Sequence, residues 1–197
     1  MQCSERVGLI YVDLDVDLNT PESTTDGALD WMGVAHMLGI EGSVPALAGL
    51  GTRTPMLRPD QVLFFGHANV APPERTVIDT LGLAECPLSK VVADPAGSAR
   101  ACLEGWAQPF DLLLIHLDVD VLDYVDMPLA ENTRRNIGLR FPELMRALEV
   151  LLTAPNWAGL TVCEINPDHG AADGSTLRTF TSALASALAG SPRLGAG

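Results

Sequence analysis

The residues best placed to do chemistry are two aspartate clusters, each at the end of a strongly apolar run. Val7–Val12 leads into Asp13, Asp15 and Asp17. Leu112–Leu117 leads into Asp118 and Asp120. Side chains alternate along a strand, so Asp13, Asp15 and Asp17 can share one face, and Asp118 and Asp120 can share another. If the two runs are neighbouring strands, five carboxylates converge at their carboxyl ends. Like charges at that density cannot all stay ionised without cations. An all-oxygen set suits hard divalent ions such as magnesium, calcium or manganese. A lone aspartate after a strand would more simply cap a turn or a helix; the clustering is what favours metal.

The elements that must position these residues alternate between strand and helix. Both apolar runs read as buried strands. Further strands are expected at 62–66, 88–92 and 160–165. Helices are expected at 30–38 (stopped by Gly39), 72–81, 96–106, 141–152 and 174–188. Residues 41–60 read as loop with short helical turns. Strands alternating with helices imply a mainly parallel sheet covered on both faces, a three-layer α/β/α domain over 1–190, with a flexible tail at 191–197. Ligands in such sheets bind outside the carboxyl ends of the strands, where both clusters and Glu164 fall.

Composition narrows the functional classes. A chain of 197 residues with 47% hydrophobic content suits one folded domain. No apolar run approaches the roughly 18 residues of a membrane span, and no signal peptide is visible, so a cytoplasmic location is expected. The net charge is −13, with 25 acidic against 12 basic residues, and Lys90 is the only lysine. Such a chain repels nucleic acid and favours cationic ligands. Cys3, Cys86, Cys102 and Cys163 lack zinc-site spacing. The last three read as buried small apolar residues in a reducing compartment.

Three motifs in order resemble the ureohydrolase family, which includes arginases and agmatinases. Asp13-Leu-Asp15-Val-Asp17-Leu-Asn19-Thr20-Pro21 is similar to the family's Asp-x-His-x-Asp followed by Asn-Thr-Pro, with Asp15 in place of the histidine. Asp118-Val-Asp120-Val-Leu-Asp123 resembles Asp-x-Asp-x-x-Asp, and Glu164-Ile-Asn166-Pro167 resembles Glu-Val-Asn-Pro. The likeness runs from about Arg6 to Leu188. The family's first metal ligand, a histidine in Gly-Gly-Asp-His, precedes the first strand and has no counterpart here. The amino-terminal strands of a full family member are therefore expected to be missing from this arginase-like fold.

The resemblance implies a site with two manganese ions, bridged by Asp13 and Asp118. Asp17 would complete one shell, and Asp15 and Asp120 the other. Asp15 makes the set harder, and more tolerant of magnesium or calcium, than an imidazole would. Two ions about 3.5–4 Å apart lower the pKa of a shared water, and the hydroxide would attack a guanidinium or amidine carbon. Glu164 resembles the glutamate that receives the guanidinium. Asp30 occupies the place of a proton-shuttling histidine, although aspartate also favours helix N-caps. Asn19, Thr24 and Asp26 fall in the substrate-contacting loop. His116, two residues before Asp118, faces the same side and reads as a support for the ligands. His67 and His169 are candidates to replace the absent histidine, and His36 reads as core. The implied function is hydrolysis of a linear guanidine or amidine C–N bond, in a homo-oligomer. Two alternatives stand beside it. One is a catalytically silent structural or regulatory relative. The other is a haloacid dehalogenase-type phosphatase, for which Lys90 is the only candidate lysine.

Overall fold

A computed structural model describes residues 6–24 and 26–191. Cys3 lies outside them. Of the expected tail only Ser191 is described, and it is buried.

Five strands form one parallel sheet: β1 (Val7–Val12), β2 (Val62–Phe65), β3 (Ala84–Cys86), β4 (Leu112–Asp118) and β5 (Trp157–Cys163). Their order is β3-β2-β1-β4-β5, and every neighbouring pair is parallel. Among the described residues seven α-helices accompany them: α1 (Gly33–Leu38), α2 (Pro45–Ala48), α3 (Pro72–Leu81), α4 (Leu88–Ala93), α5 (Pro95–Glu104), α6 (Phe141–Leu151) and, after the last strand, α7 (Ser175–Ala189).

The period of two in the strands divides their side chains between two cores. Ile10, Val12, Leu63, Phe65, Ile115 and Leu117 pack with Ala99 and Cys102 of α5, Leu144, Leu148 and Leu151 of α6, and Phe180 of α7. Leu9, Tyr11, Val62 and Phe64 point the other way, onto Val34 and Leu38 of α1 and Ile78 of α3. Helices thus lie on both faces, as the alternating pattern implies. Over β4 the second face is open among the described residues, where Leu114 is 39% exposed.

Several boundaries differ from the sequence reading. Residues 88–92 are not a strand. They belong to α4, and the third strand is Ala84–Cys86. A short apolar run is ambiguous between strand and helix. Here Pro87 lies at the helix boundary, and only Val91 of the run is fully buried, as one helical face requires. The fifth strand starts and ends earlier than expected, at Trp157 and Cys163. The expected helix at 30–38 begins as a 3₁₀ turn, Asp30–Met32, before α1. It stops at Gly39, whose left-handed backbone (φ 60°) suits a residue without a Cβ. Cys102 is buried, Cys86 half-buried and Cys163 exposed, so the expectation of three buried thiols fails at Cys163. By alternation along the strand it shares the open face of the sheet with Gly159 and Thr161.

Candidate metal centre

β1 lies at the middle of the sheet. The chain runs from it outward through β2 and β3, then crosses back to β4 and β5 on the other side. The carboxyl ends of β1 and β4 are therefore the switch point where crossovers diverge and a crevice opens. Val12 and Leu117 are register partners, so Asp13 and Asp118 leave the sheet side by side.

Asp15 and Asp17 reach the crevice by a different route from the one expected. β1 ends at Val12, so Asp13, Asp15 and Asp17 do not alternate along a strand. The loop itself folds them inward. Asp13 Oδ1 accepts a hydrogen bond from the Asp15 amide at 2.7 Å, and Asp17 takes a left-handed backbone (φ 50°). The same device recurs after β4, where Asp118 Oδ1 accepts from the Asp120 amide at 3.0 Å. One oxygen of each carboxylate thus holds a turn, and the other is left for the crevice. Glu164 also sits in the left-handed region (φ 61°), directly after β5. Two of the candidate residues therefore carry strained backbone, which concentrates at functional sites.

All seven candidates, Asp13, Asp15, Asp17, Asp30, Asp118, Asp120 and Glu164, line one crevice of about 20 Å³, with Trp31 and Asn132. That is room for one water or one ion. Three sets of potential ligand atoms lie within 4.8 Å of one another: Asp13 with His116 and Asp118, Asp13 with Asp15 and Asp120, and Asp118 with Asp120 and Glu164. Asp17 belongs to none of these sets; its carboxylate accepts a hydrogen bond from the Tyr11 hydroxyl.

The electrostatics of the crevice suit cations. Burial, reinforced by Asp17, Asp118 and Asp120, holds the Asp13 carboxyl well above its usual range. Burial raises Asp17 strongly as well. Asp118 is pushed up to about 8, by burial and then by Asp120. Asp120 and Glu164 are raised, mainly by burial. Asp120 Oδ1 and Glu164 Oε2 are buried without a hydrogen-bond partner. Unpaired buried carboxylate oxygens are costly, and a divalent cation would satisfy them. The donor set therefore fits hard divalent ions.

The flanking residues were only partly foreseen. His116 lies on the face of Asp118, as alternation requires. Beyond the supporting role expected of it, it offers a ring nitrogen to the first ligand set. Its Nδ1 pairs with Thr161 Oγ1 at 2.8 Å, its ring stacks on Tyr11 at 4.4 Å, and burial lowers its pKa to about 4. A neutral imidazole is the form that binds metal. His67 instead pairs with Glu85 at 3.0 Å, and His169 with the Ala130 carbonyl at 2.8 Å, so neither joins a ligand set. His36 is buried on α1.

Asp30 lies at the start of its 3₁₀ turn, where no side-chain cap forms among the described residues. The N-cap alternative therefore does not explain it. Lys90 is exposed on α4.

Arg134, Asn132 and Asn69 were not foreseen. They come from loops, where spacing carries no signal. Arg134 forms an ion pair with Asp15 and approaches Asp120 Oδ2 at 3.7 Å. Asn132 donates to Asp120 Oδ2 at 3.1 Å, and Asn69 donates to Asp15. Beside the crevice opens a cavity of about 210 Å³ lined by Asn19, Ser23, Thr24, Trp31, Glu74 and Arg134 among others. Of the three loop residues expected near substrate, Asn19 and Thr24 line it; Asp26 is exposed outside it.

The parallel sheet and the carboxylate crevice at its switch point place the chain among α/β folds, with acidic residues that could hold metal. Comparison with known proteins identifies the family. The profile described as the Arginase family matches residues 1–190. The chain is 32% identical to Arginase-1 of Sus scrofa over 190 residues, covering 92% of this chain and 57% of the relative. It is 31% identical to Arginase-1 of Homo sapiens over 192 residues, covering 93% and 58%. Among solved structures, arginase from Bacillus subtilis superposes with a TM-score of 0.83 at 25% identity, over 93% of this chain and 61% of that one. Formimidoylglutamase from the same species shares the fold, with a TM-score of 0.74 at 19% identity over 97% and 56%. The chain belongs to the arginase family. It spans under two thirds of the length of the relatives it matches.

Among the described residues no helix is long and apolar enough to cross a membrane.

Proposed function

We propose that this protein is a metal-dependent hydrolase that cleaves the C–N bond of a linear guanidine or amidine. The observation that carries this reading is the convergence of six buried or half-buried carboxylates on one crevice, two of them with unpaired buried oxygens. Family membership supports it.

In this reading Asp13, Asp118 and Asp17 would hold one metal position, and Asp13, Asp118, Asp15 and Asp120 would hold the other. Manganese is the proposed metal, as two ions, with magnesium or calcium as substitutes. When bound, such ions supply an activated water. The chain's own residues do the rest. Glu164, on its strained turn at the rim, presents a carboxylate to the substrate's planar cation as a bidentate partner. The adjacent cavity, with Asn19, Thr24 and Glu74, receives the remainder of the substrate. Oxygen from water joins the guanidinium carbon, the bond from carbon to the alkyl nitrogen breaks, and Asp30 passes a proton to that departing nitrogen. The products are urea, or an amide from an amidine, and an amine. The acidic surface favours such cationic substrates. Self-association and a cytoplasmic location belong to the same proposal.

One observation favours a second reading, a catalytically silent relative: Arg134 already neutralises Asp15. A panel of guanidino and amidine compounds separates the two. The metal-free and manganese-loaded protein would be assayed for urea, ammonia and amine release. Manganese-dependent urea or amide release supports the hydrolase. A folded, metal-loaded protein inert to the whole panel leaves the silent reading.

A further inference from the structure

Arg134 stands in a loop of residues 122–140 that the backbone holds firmly in place. Leu139 N donates to Val121 O at 2.7 Å, and Asp123 N donates to Leu139 O at 2.9 Å. Tyr124 N donates to Arg134 O at 3.2 Å. Gly138 permits this closure: its φ is 120°, and a Cβ there would sit 2.6 Å from Asp123 N. At the other end Ala130 bridges to Ile165, and Glu131 N donates to Glu164 O at 2.8 Å. The guanidinium is thus delivered to a fixed place. It contacts Asp15 and lies 3.7 Å from Asp120 Oδ2.

Those two carboxylates are the outer members of one ligand set, with Asp13. A cation there would share the carboxylates of Asp15 and Asp120 with Arg134. It must also sit beside a fixed positive charge in a largely buried pocket, where repulsion is poorly screened. The ligand set of Asp13, His116 and Asp118 has no ion pair with Arg134 among the described residues. Asp120 joins the two regions. It is 4% exposed, and among the described residues its Oδ1 is buried without a hydrogen-bond partner, an oxygen that Arg134 leaves for a cation.

We infer that Arg134 is a built-in counter-cation that competes with metal at the Asp15–Asp120 position. In the arrangement seen, the centre takes one divalent ion tightly at Asp13, His116 and Asp118. A second ion enters only when Arg134 withdraws. This inference rests on the metal-centre reading of the proposed function, and assigns unequal occupancy to its two positions. It also gives Asp15 a reason for being a carboxylate: the residue is the anchor of the arginine.

Manganese binding to the whole chain tests this, read by calorimetry and by electron paramagnetic resonance of bound manganese. The wild type should bind one ion tightly and a second at least about tenfold more weakly. Arg134→Gln should bring the two affinities together and yield the signal of a coupled manganese pair. Arg134→Lys, which keeps the charge, should retain the wild-type pattern. Thermal midpoints confirm that the variants fold. His116→Gln provides an independent arm: it leaves Arg134 in place and should lose at least about tenfold of the tight affinity. Two equal ions in the wild type would overturn the competition while leaving the metal centre intact. So would an Arg134→Gln protein with an unchanged second site, or tight binding that survives His116→Gln. No ion bound by either folded wild type or Arg134→Gln overturns both this inference and the proposed function.

Discussion

Replacing Asp118 by asparagine should stabilise the metal-free protein at alkaline pH while abolishing its response to metal. Asparagine keeps the shape of the side chain and the oxygen that accepts from the Asp120 amide at 3.0 Å. It removes only the charge. Asp13, Asp120 and Glu164 each offer an oxygen within 4.8 Å of the Asp118 ligand atom. At an effective dielectric of about 20, one ionised pair at this distance costs roughly 3 kcal/mol. Burial raises the neighbouring carboxyls as well, so about one such pair measures the repulsion. The sign follows from linkage. The Asp118 pKa is about 8 in the folded protein, against about 3.9 unfolded. Between those values the folded state binds a proton that the unfolded state has released, so stability falls as pH rises through the window. Asp118→Asn escapes that loss. Near pH 4, at the foot of that window, folded and unfolded states hold the proton almost alike, and the variant should match wild type within about 1 kcal/mol. Near pH 9 it should gain about 3–6 kcal/mol, the lower figure from one ionised pair and the upper from the full span between about 3.9 and about 8, a rise of about 6–24 °C for a chain of this length. The assay is thermal unfolding at both pH values with chelator present, then with manganese. Manganese should raise the wild-type midpoint and leave the variant unmoved. An equal shift at both pH values, or a variant less stable than wild type near pH 9, would refute the reasoning.

Further outcomes follow from other positions. Glu74→Ala should cost about 2–4 kcal/mol in chemical denaturation, because that buried carboxylate accepts from Leu18 N, Asn19 Nδ2 and Ala71 N; a loss under 1 kcal/mol would argue against its role in pinning the loop. Glu164→Gly should be about 1 kcal/mol more stable than Glu164→Ala, since both lose the carboxylate and only glycine relieves the φ of 61°; equal stabilities would remove the strain argument. Asp30→Asn should lower kcat by about a hundredfold or more with manganese affinity unchanged, and an unaltered kcat would take Asp30 out of the proton path.

Much of the centre was legible because its residues ride on regular elements. A buried strand followed by an acid announces both the strand end and the ligand, and parallel order then brings Asp13 beside Asp118. Glu164 followed from its position after the fifth apolar run, even though that strand ends earlier than the run suggests. What stayed hidden belongs to loops. Asp15 and Asp17 reach the crevice through turn bonds and a left-handed residue, not through strand alternation, a route that spacing does not reveal. Arg134 stands 14 positions beyond Asp120 in a segment without periodicity, and only the backbone closure at Gly138 and Leu139 delivers it to Asp15. Residues 88–92 misled because Leu88, Val91 and Val92 suit a strand or a helical face equally, and only packing against the neighbouring elements decides.

The central claim, that the acidic crevice is a metal centre, is tested most directly by calorimetric titration of manganese into the metal-free protein beside its Asp118→Ala variant. The account predicts tight binding to the wild type that is lost in a folded variant. No binding to the folded wild type, or binding unchanged by Asp118→Ala, would contradict it.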